Sequence, residues 1–119
     1  MGIPAPTSET VLVATRCEFA NSSVGASVNG SLTSATFKNC VFHDNSGDGI
    51  CGGGATIHLH GEATAIHSNK TNGLTACHSA KVFIHLPSHH NTIYNNGVDR
   101  KTFAGGTITN VVWIQDEGE

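Results

Sequence analysis

Charge is scarce in this chain. Only 13% of its 119 residues are Asp, Glu, Lys or Arg, about half the share in an ordinary globular protein. Solvated coiled coils and long amphipathic helices need Lys and Glu faces, so neither is expected. Basic residues are fewer still, 6 Lys+Arg against 9 Asp+Glu for a formal charge of −3. Neutralising phosphates takes a basic patch, so nucleic acid is not an expected partner. No apolar run approaches the roughly 20 residues of a helical membrane span. The four cysteines, Cys17, Cys40, Cys51 and Cys77, show neither CxxC nor Cys/His zinc spacing. That argues against a disulfide scaffold or a zinc module, and no cofactor is expected. Residues Met1 to Thr7 carry no basic stretch and no apolar run, so no secretory signal is read and an intracellular setting is preferred.

What is abundant is Gly, His and a recurring Asn. Arg16-Cys17-Glu18-Phe19-Ala20-Asn21, Asn39-Cys40-Val41-Phe42-His43-Asp44-Asn45, Ala65-Ile66-His67-Ser68-Asn69 and Thr92-Ile93-Tyr94-Asn95-Asn96 are each a short β-prone stretch ending in Asn. Gly25, Gly49 and Gly73 stand four residues after the first three of these Asn. A second alignment sets Ile57-His58-Leu59 on Ile84-His85-Leu86. Internal periods of this length mark a solenoid. No window shows helical 3-4-7 spacing. Strands of three to five residues alternate instead with turn clusters such as Asn45-Ser46-Gly47-Asp48-Gly49. The expected fold is all-β: a short right-handed parallel β-helix of about four to five rungs, stacked about 4.8 Å apart. An Asn repeated at one turn then forms an inward ladder of amides that satisfies turn backbone. Asn21, Asn45, Asn69 and Asn96 are the expected members, with the following Gly supplying a positive φ. The helix is expected over 11–114, after an N-terminal extension or cap (1–10) and before an acidic tail (115–119).

The run Cys40-Val41-Phe42-His43-Asp44-Asn45, followed by Gly47-Asp48-Gly49-Ile50, resembles the repeats of the pectin-lyase-like superfamily of parallel β-helices. The stretch Ile84-His85-Leu86-Pro87-Ser88-His89-His90-Asn91-Thr92 is similar to β-helix repeat proteins of algae and large algal viruses, mostly of unassigned function. The resemblance implies the fold. It leaves activity open, because the superfamily holds lyases, epimerases, fibres and inert scaffolds.

Alternation assigns Val13, Phe19, Phe37, Phe42, Ile50, Ile57, Leu59, Ile66, Leu74, Ile84, Leu86, Ile93 and Ile108 to the interior. Cys17, Cys40, Thr64 and Asn91 form an expected inner column, with Cys17 and Cys40 as free thiols in preference to a bridge. Outside, His58 and His85 are placed on neighbouring rungs with His60 beside them, and His43, His67 and Tyr94 share a second column. Two stacked His with no thiolate or carboxylate do not complete a structural metal site, so His58, His60 and His85 are candidates only and no metal is expected. For catalysis on an acidic polysaccharide, the candidates are the His67–Tyr94 pair and Asp99 with Arg100, in a turn column with Asp48 and Asn72. Asx turns explain that column equally well. The Thr residues fall in no single outward ladder of the ice-binding kind. The preferred function is a non-enzymatic module presenting a rigid face for binding or assembly. The alternative is a truncated carbohydrate-active β-helix with a polysaccharide partner. Trp113 and Ile114, large apolar groups past the last rung, are the expected contact with a protein partner or a second copy.

Overall fold

A computed structural model describes residues 9–85 and 92–111. Among them there is no helix, and thirteen short strands wind through about four turns. The first turn holds β1 (Thr10–Thr15), β2 (Glu18–Ala20) and β3 (Ala26–Asn29). The second holds β4 (Thr33–Lys38), β5 (Val41–His43) and β6 (Ile50–Gly53). The third holds β7 (Thr56–His60), β8 (Ala65–His67) and β9 (Asn72–Cys77), and the fourth β10 (Lys81–His85), β11 (Ile93–Tyr94) and β12 (Val98–Phe103). A last strand, β13 (Thr107–Val111), returns to the first side. Each strand pairs in parallel with its counterpart one turn away, giving a five-stranded sheet β1-β4-β7-β10-β13 and two of four strands, β2-β5-β8-β11 and β3-β6-β9-β12. The chain is a parallel β-solenoid.

Stacking puts like on like, and the core is a set of columns. In the five-stranded sheet Ala35, Ile57 and Val82 lie over one another, and beside them Phe37, Leu59 and Ile84, all essentially without solvent contact. Phe19, Phe42, Ile66 and Ile93 form the column of the second sheet. Ile50 and Leu74 belong to the third. One expected inward residue is misplaced. Val13 pairs with Thr36 and points outward, 60% exposed, whereas Ala14 pairs with Phe37 and packs on the core. A one-residue slip exchanges the two faces of a strand, and Val13 was read one step out of register. Leu86, Asn91, Trp113, Ile114 and the acidic tail lie outside the described residues.

The spacing of the two His-bearing strands is also corrected. Ile57 pairs with Val82 and Leu59 with Ile84, so the alignment of Ile57-His58-Leu59 on Ile84-His85-Leu86 is off by two residues. A shift of two keeps the same face inward, which is why the hydrophobic pattern alone did not exclude it. The four cysteines are free, Cys40 and Cys77 buried and Cys17 exposed. Cys40 sits in the inner column, its Sγ accepting the Cys17 N–H at 3.5 Å, with Thr64 buried one turn further on.

Candidate functional site

The most ordered polar feature is the ladder at the turn after the second sheet. Asn45 and Asn69 are both 2% exposed. Asn69 Oδ1 accepts from both Asn45 Nδ2 (2.8 Å) and the Asn45 backbone N–H (3.2 Å). One turn on, Asn96 Oδ1 accepts in the same way from Asn69 Nδ2 (2.9 Å) and the Asn69 N–H (3.0 Å). Each Nδ2 also donates to a strand carbonyl a turn behind, Phe19 O for Asn45 and Phe42 O for Asn69. Both donors and the acceptor of every inner amide are therefore used.

Asn21 does not belong to this ladder. Phe19 pairs with Phe42, which places Ser22 over Asn45, and the Ser22 N–H donates to Asn45 Oδ1 at 3.1 Å. Asn21 is exposed and adopts φ 59°, as Asp44 (55°), Ser68 (58°) and Asn95 (55°) do in the turns above. It heads a column of left-handed turn residues, a conformation Asn tolerates better than most. The equal intervals of 24 from Asn21 to Asn45 and from Asn45 to Asn69 mislead, because the ladder step from Ser22 to Asn45 is 23 residues. The glycines are also explained differently. Gly25, Gly49 and Gly73 are not at positive φ. A Cβ at each would stand 2.9, 2.7 and 2.6 Å from the Nδ2 of Asn45, Asn69 and Asn96 respectively. They are glycines because the ladder amide and a backbone carbonyl of the next turn together fill the space.

Asp99 completes the far end. Its Oδ1 accepts from Asn96 Nδ2 (3.1 Å) and the Asn96 N–H (3.3 Å), the two bonds a further Asn would have accepted. Asp48 and Asn72 do share a turn column, but its next member is Val98, since the fourth turn is one residue shorter here. Asp48 in turn accepts from the Asn72 N–H (3.1 Å) and Thr75 Oγ1 (3.0 Å). Arg100 pairs with Leu74 and takes a core-column position on the exposed last strand of its sheet. Inward-facing charge at a sheet edge discourages edge-to-edge pairing. The Asp48–Asn72 column follows from the repeat, whereas the closing role of Asp99 depends on the length of the fourth turn.

His67 and Tyr94 come together as aromatic neighbours. His43, His67 and Tyr94 stack with centroids 5.1 and 5.0 Å apart and planes within 9°. His67 Nδ1 is 2.9 Å from Ser68 Oγ. His43 is clamped between Glu18, at Nε2, and Asp44, at Nδ1. The Glu18 hydrogen bond, then that of Asp44, holds the His43 pKa above its ordinary value against a smaller opposing effect of burial. Burial, and then the adjacent His43 charge, holds His67 below its own. A raised folded pKa stabilises fully below the unfolded value of about 6.5, and that contribution is lost as pH rises through the folded value. The stability advantage of the native chain over H43Q should thus be larger near about pH 6 than near about pH 9. Urea midpoints at both pH values check this, and an advantage that grows with pH contradicts the clamp.

The second His group is on the five-stranded sheet, where Thr36, His58, Phe83 and Thr109 form one outward column. One step along, His85 lies on His60, with centroids 4.0 Å apart and planes 8° from parallel. The sequence placed His85 over His58. The structure instead makes those two diagonal neighbours, His58 Nδ1 and His85 Nε2 being 2.8 Å apart. All three imidazoles are only partly exposed. Burial, followed by the charge His85 would carry, pushes His58 and His60 below their ordinary pKa. Comparison of the chain with protein-family models, with curated proteins and with solved structures gave no match.

Proposed function

We propose that this chain is a non-enzymatic β-solenoid module, of the scaffold kind found in the pectin-lyase-like superfamily, that presents a rigid end and flank for assembly. The observation that carries the reading is the edge strand β1. Among the described residues it pairs on one side only, with β4, and exposes Val11 (65%), Leu12 (47%) and Val13 (60%) in succession. A run of exposed aliphatics along an unpaired edge invites another strand. At the opposite end, β12 sets charged Asp99, Arg100 and Lys101 between exposed Val98 (49%) and Phe103 (48%), in place of an unbroken aliphatic run. Ends of such different character favour contact between like ends, which closes as a two-fold dimer, over an open head-to-tail fibre. The carboxylates and His/Tyr pair offered for catalysis support this reading too, because Asp99, Asp48 and His67 are each engaged by the scaffold.

Sedimentation velocity across a concentration series tests it. The native chain should shift toward dimer as concentration rises, and a Val11→Lys, Val13→Lys double variant should remain monomeric. A native chain that stays a clean monomer at high concentration removes the assembly reading.

One observation favours the alternative, a truncated carbohydrate-active or polysaccharide-binding β-helix. A polar groove of about 600 Å³ runs along the left-handed turn column, lined among others by Asn21, Asp44, Ser46, Ser68, Lys70 and Asn95. Four turns span only about 20 Å, which is short for a polymer. Incubation with oligouronates, watched for the absorbance of an unsaturated product, separates this reading from the first.

A further inference from the structure

We propose that His58, His60 and His85 form a reversible binding site for a borderline divalent cation, with zinc as the reference ion. One ring nitrogen from each lies within 4.8 Å of the others. In a bound site, Zn–N distances of about 2.0–2.1 Å with tetrahedral angles require these nitrogens about 3.3 Å apart. The present separations bracket that value, since His58 Nδ1 and His85 Nε2 are already at 2.8 Å. A proton now joins those two nitrogens, one ring donating and the other accepting. The ion takes its place when the donor ring carries its proton on the other nitrogen.

The backbone supplies what surface histidines ordinarily lack. β7 and β10 are adjacent inner strands of the five-stranded sheet, locked in register from Thr56–Lys81 to Leu59–Ile84. Convergence therefore costs only side-chain rotation. The His60 and His85 rings are nearly parallel, so their in-plane lone pairs run side by side, and side-chain rotation that opens the stack is what brings them onto one ion. Phe83, stacked on His58 at 5.2 Å, limits the directions in which that ring can leave. Coordination needs neutral imidazole, and burial favours that form in His58 and His60.

The donor set selects the ion. Three imidazoles without a carboxylate suit zinc, nickel or copper and not calcium or magnesium, which take oxygen ligands. Lys38 on β4, beside His60, is the charged group that faces the site from the neighbouring strand; Thr109 and Val111 on β13 bring none. Its ammonium opposes a cation and keeps binding reversible. Three protein ligands leave at least one position to solvent. Backbone pairing of β7 with β10 over the buried Ile57, Leu59, Val82 and Ile84 holds these strands together, so excess chelator should leave the melting temperature unchanged.

The test is calorimetric titration of the whole chain with zinc chloride at about pH 7.5, where neutral imidazole predominates. One ion should bind per chain. His60→Ala and His85→Ala should each weaken binding about tenfold or more, whereas His43→Ala and His67→Ala should not change it. His85→Gln, which keeps a polar side chain of similar length, serves if His85→Ala melts early, and should lose the ion equally. The proposal is overturned if zinc does not bind, or if it binds with unchanged affinity to both His85 variants. It is overturned equally if the loss follows His43 or His67 instead.

Discussion

Replacing Phe42 with alanine should destabilise the solenoid by about 3–5 kcal/mol, a large part of the about 5–15 kcal/mol that holds a typical domain folded. The ring has no solvent contact and sits at the crossing of two columns. It stacks on Phe19 with centroids 4.8 Å apart and planes 6° from parallel, and meets the edge of Phe37 at 5.1 Å. Its backbone carbonyl also accepts from Asn69 Nδ2, so a collapse around the cavity would disturb the ladder. Relaxation is difficult here because strands above and below fix the position of every neighbour. Phe42→Leu, which leaves a smaller void, should cost about 1–2 kcal/mol. Phe103→Ala, on a ring 48% exposed at the last strand, should cost no more than about 0.5 kcal/mol. Urea midpoints of the three variants provide the check. Equal loss at Phe42 and Phe103 would mean that the stacked core is not where the structure puts it.

The fold was legible because a solenoid writes its geometry into sequence twice, as strand-length apolar alternation and as a recurring turn. Phe42, Ile50, Ile57, Leu59, Ile66, Leu74 and Ile84 were all assigned inward, and all are buried. Register was less legible. The turns differ in length at different corners, so a period measured at one corner does not transfer to another. The interval of 24 that carries Asn45 to Asn69 is 23 from Ser22 to Asn45. That single residue moved Asn21 from the ladder to the exposed column beside it. A turn that needs a positive φ points to its Gly, yet here the left-handed residues are Asn21, Asp44, Ser68 and Asn95, one step before the ladder.

The outward side chains were harder still, for a physical reason. Whether three imidazoles meet depends on a diagonal contact between strands, and a shift of two residues changes that contact without altering the hydrophobic pattern. Sequence spacing offered two histidines in a column, while the sheet brings three together. The clamp of Glu18 and Asp44 on His43 was equally hidden, since it joins residues from successive turns. Acidity alone makes Asp99 a catalytic candidate, yet its position makes it the closing acceptor of an amide chain.

A rigid module rests on the chain of amides from Ser22 through Asn45, Asn69 and Asn96 to Asp99, and a paired substitution tests it most directly. In Asn69→Ala the Asn45 side chain and backbone N–H lose their acceptor, the Phe42 carbonyl loses a donor, and Asn96 loses a partner. A buried group left unpaired costs about 1–3 kcal/mol, so with several affected the loss should be about 3 kcal/mol or more. Asn21→Ala, at the exposed position that equal spacing would have made the ladder's first rung, should cost no more than about 1 kcal/mol. The measurement is the urea unfolding midpoint of the native chain and both variants under one buffer condition. The account predicts a large drop for Asn69→Ala and a drop of no more than about a third of that for Asn21→Ala. An unchanged midpoint for Asn69→Ala, or equal drops for the two, would contradict it.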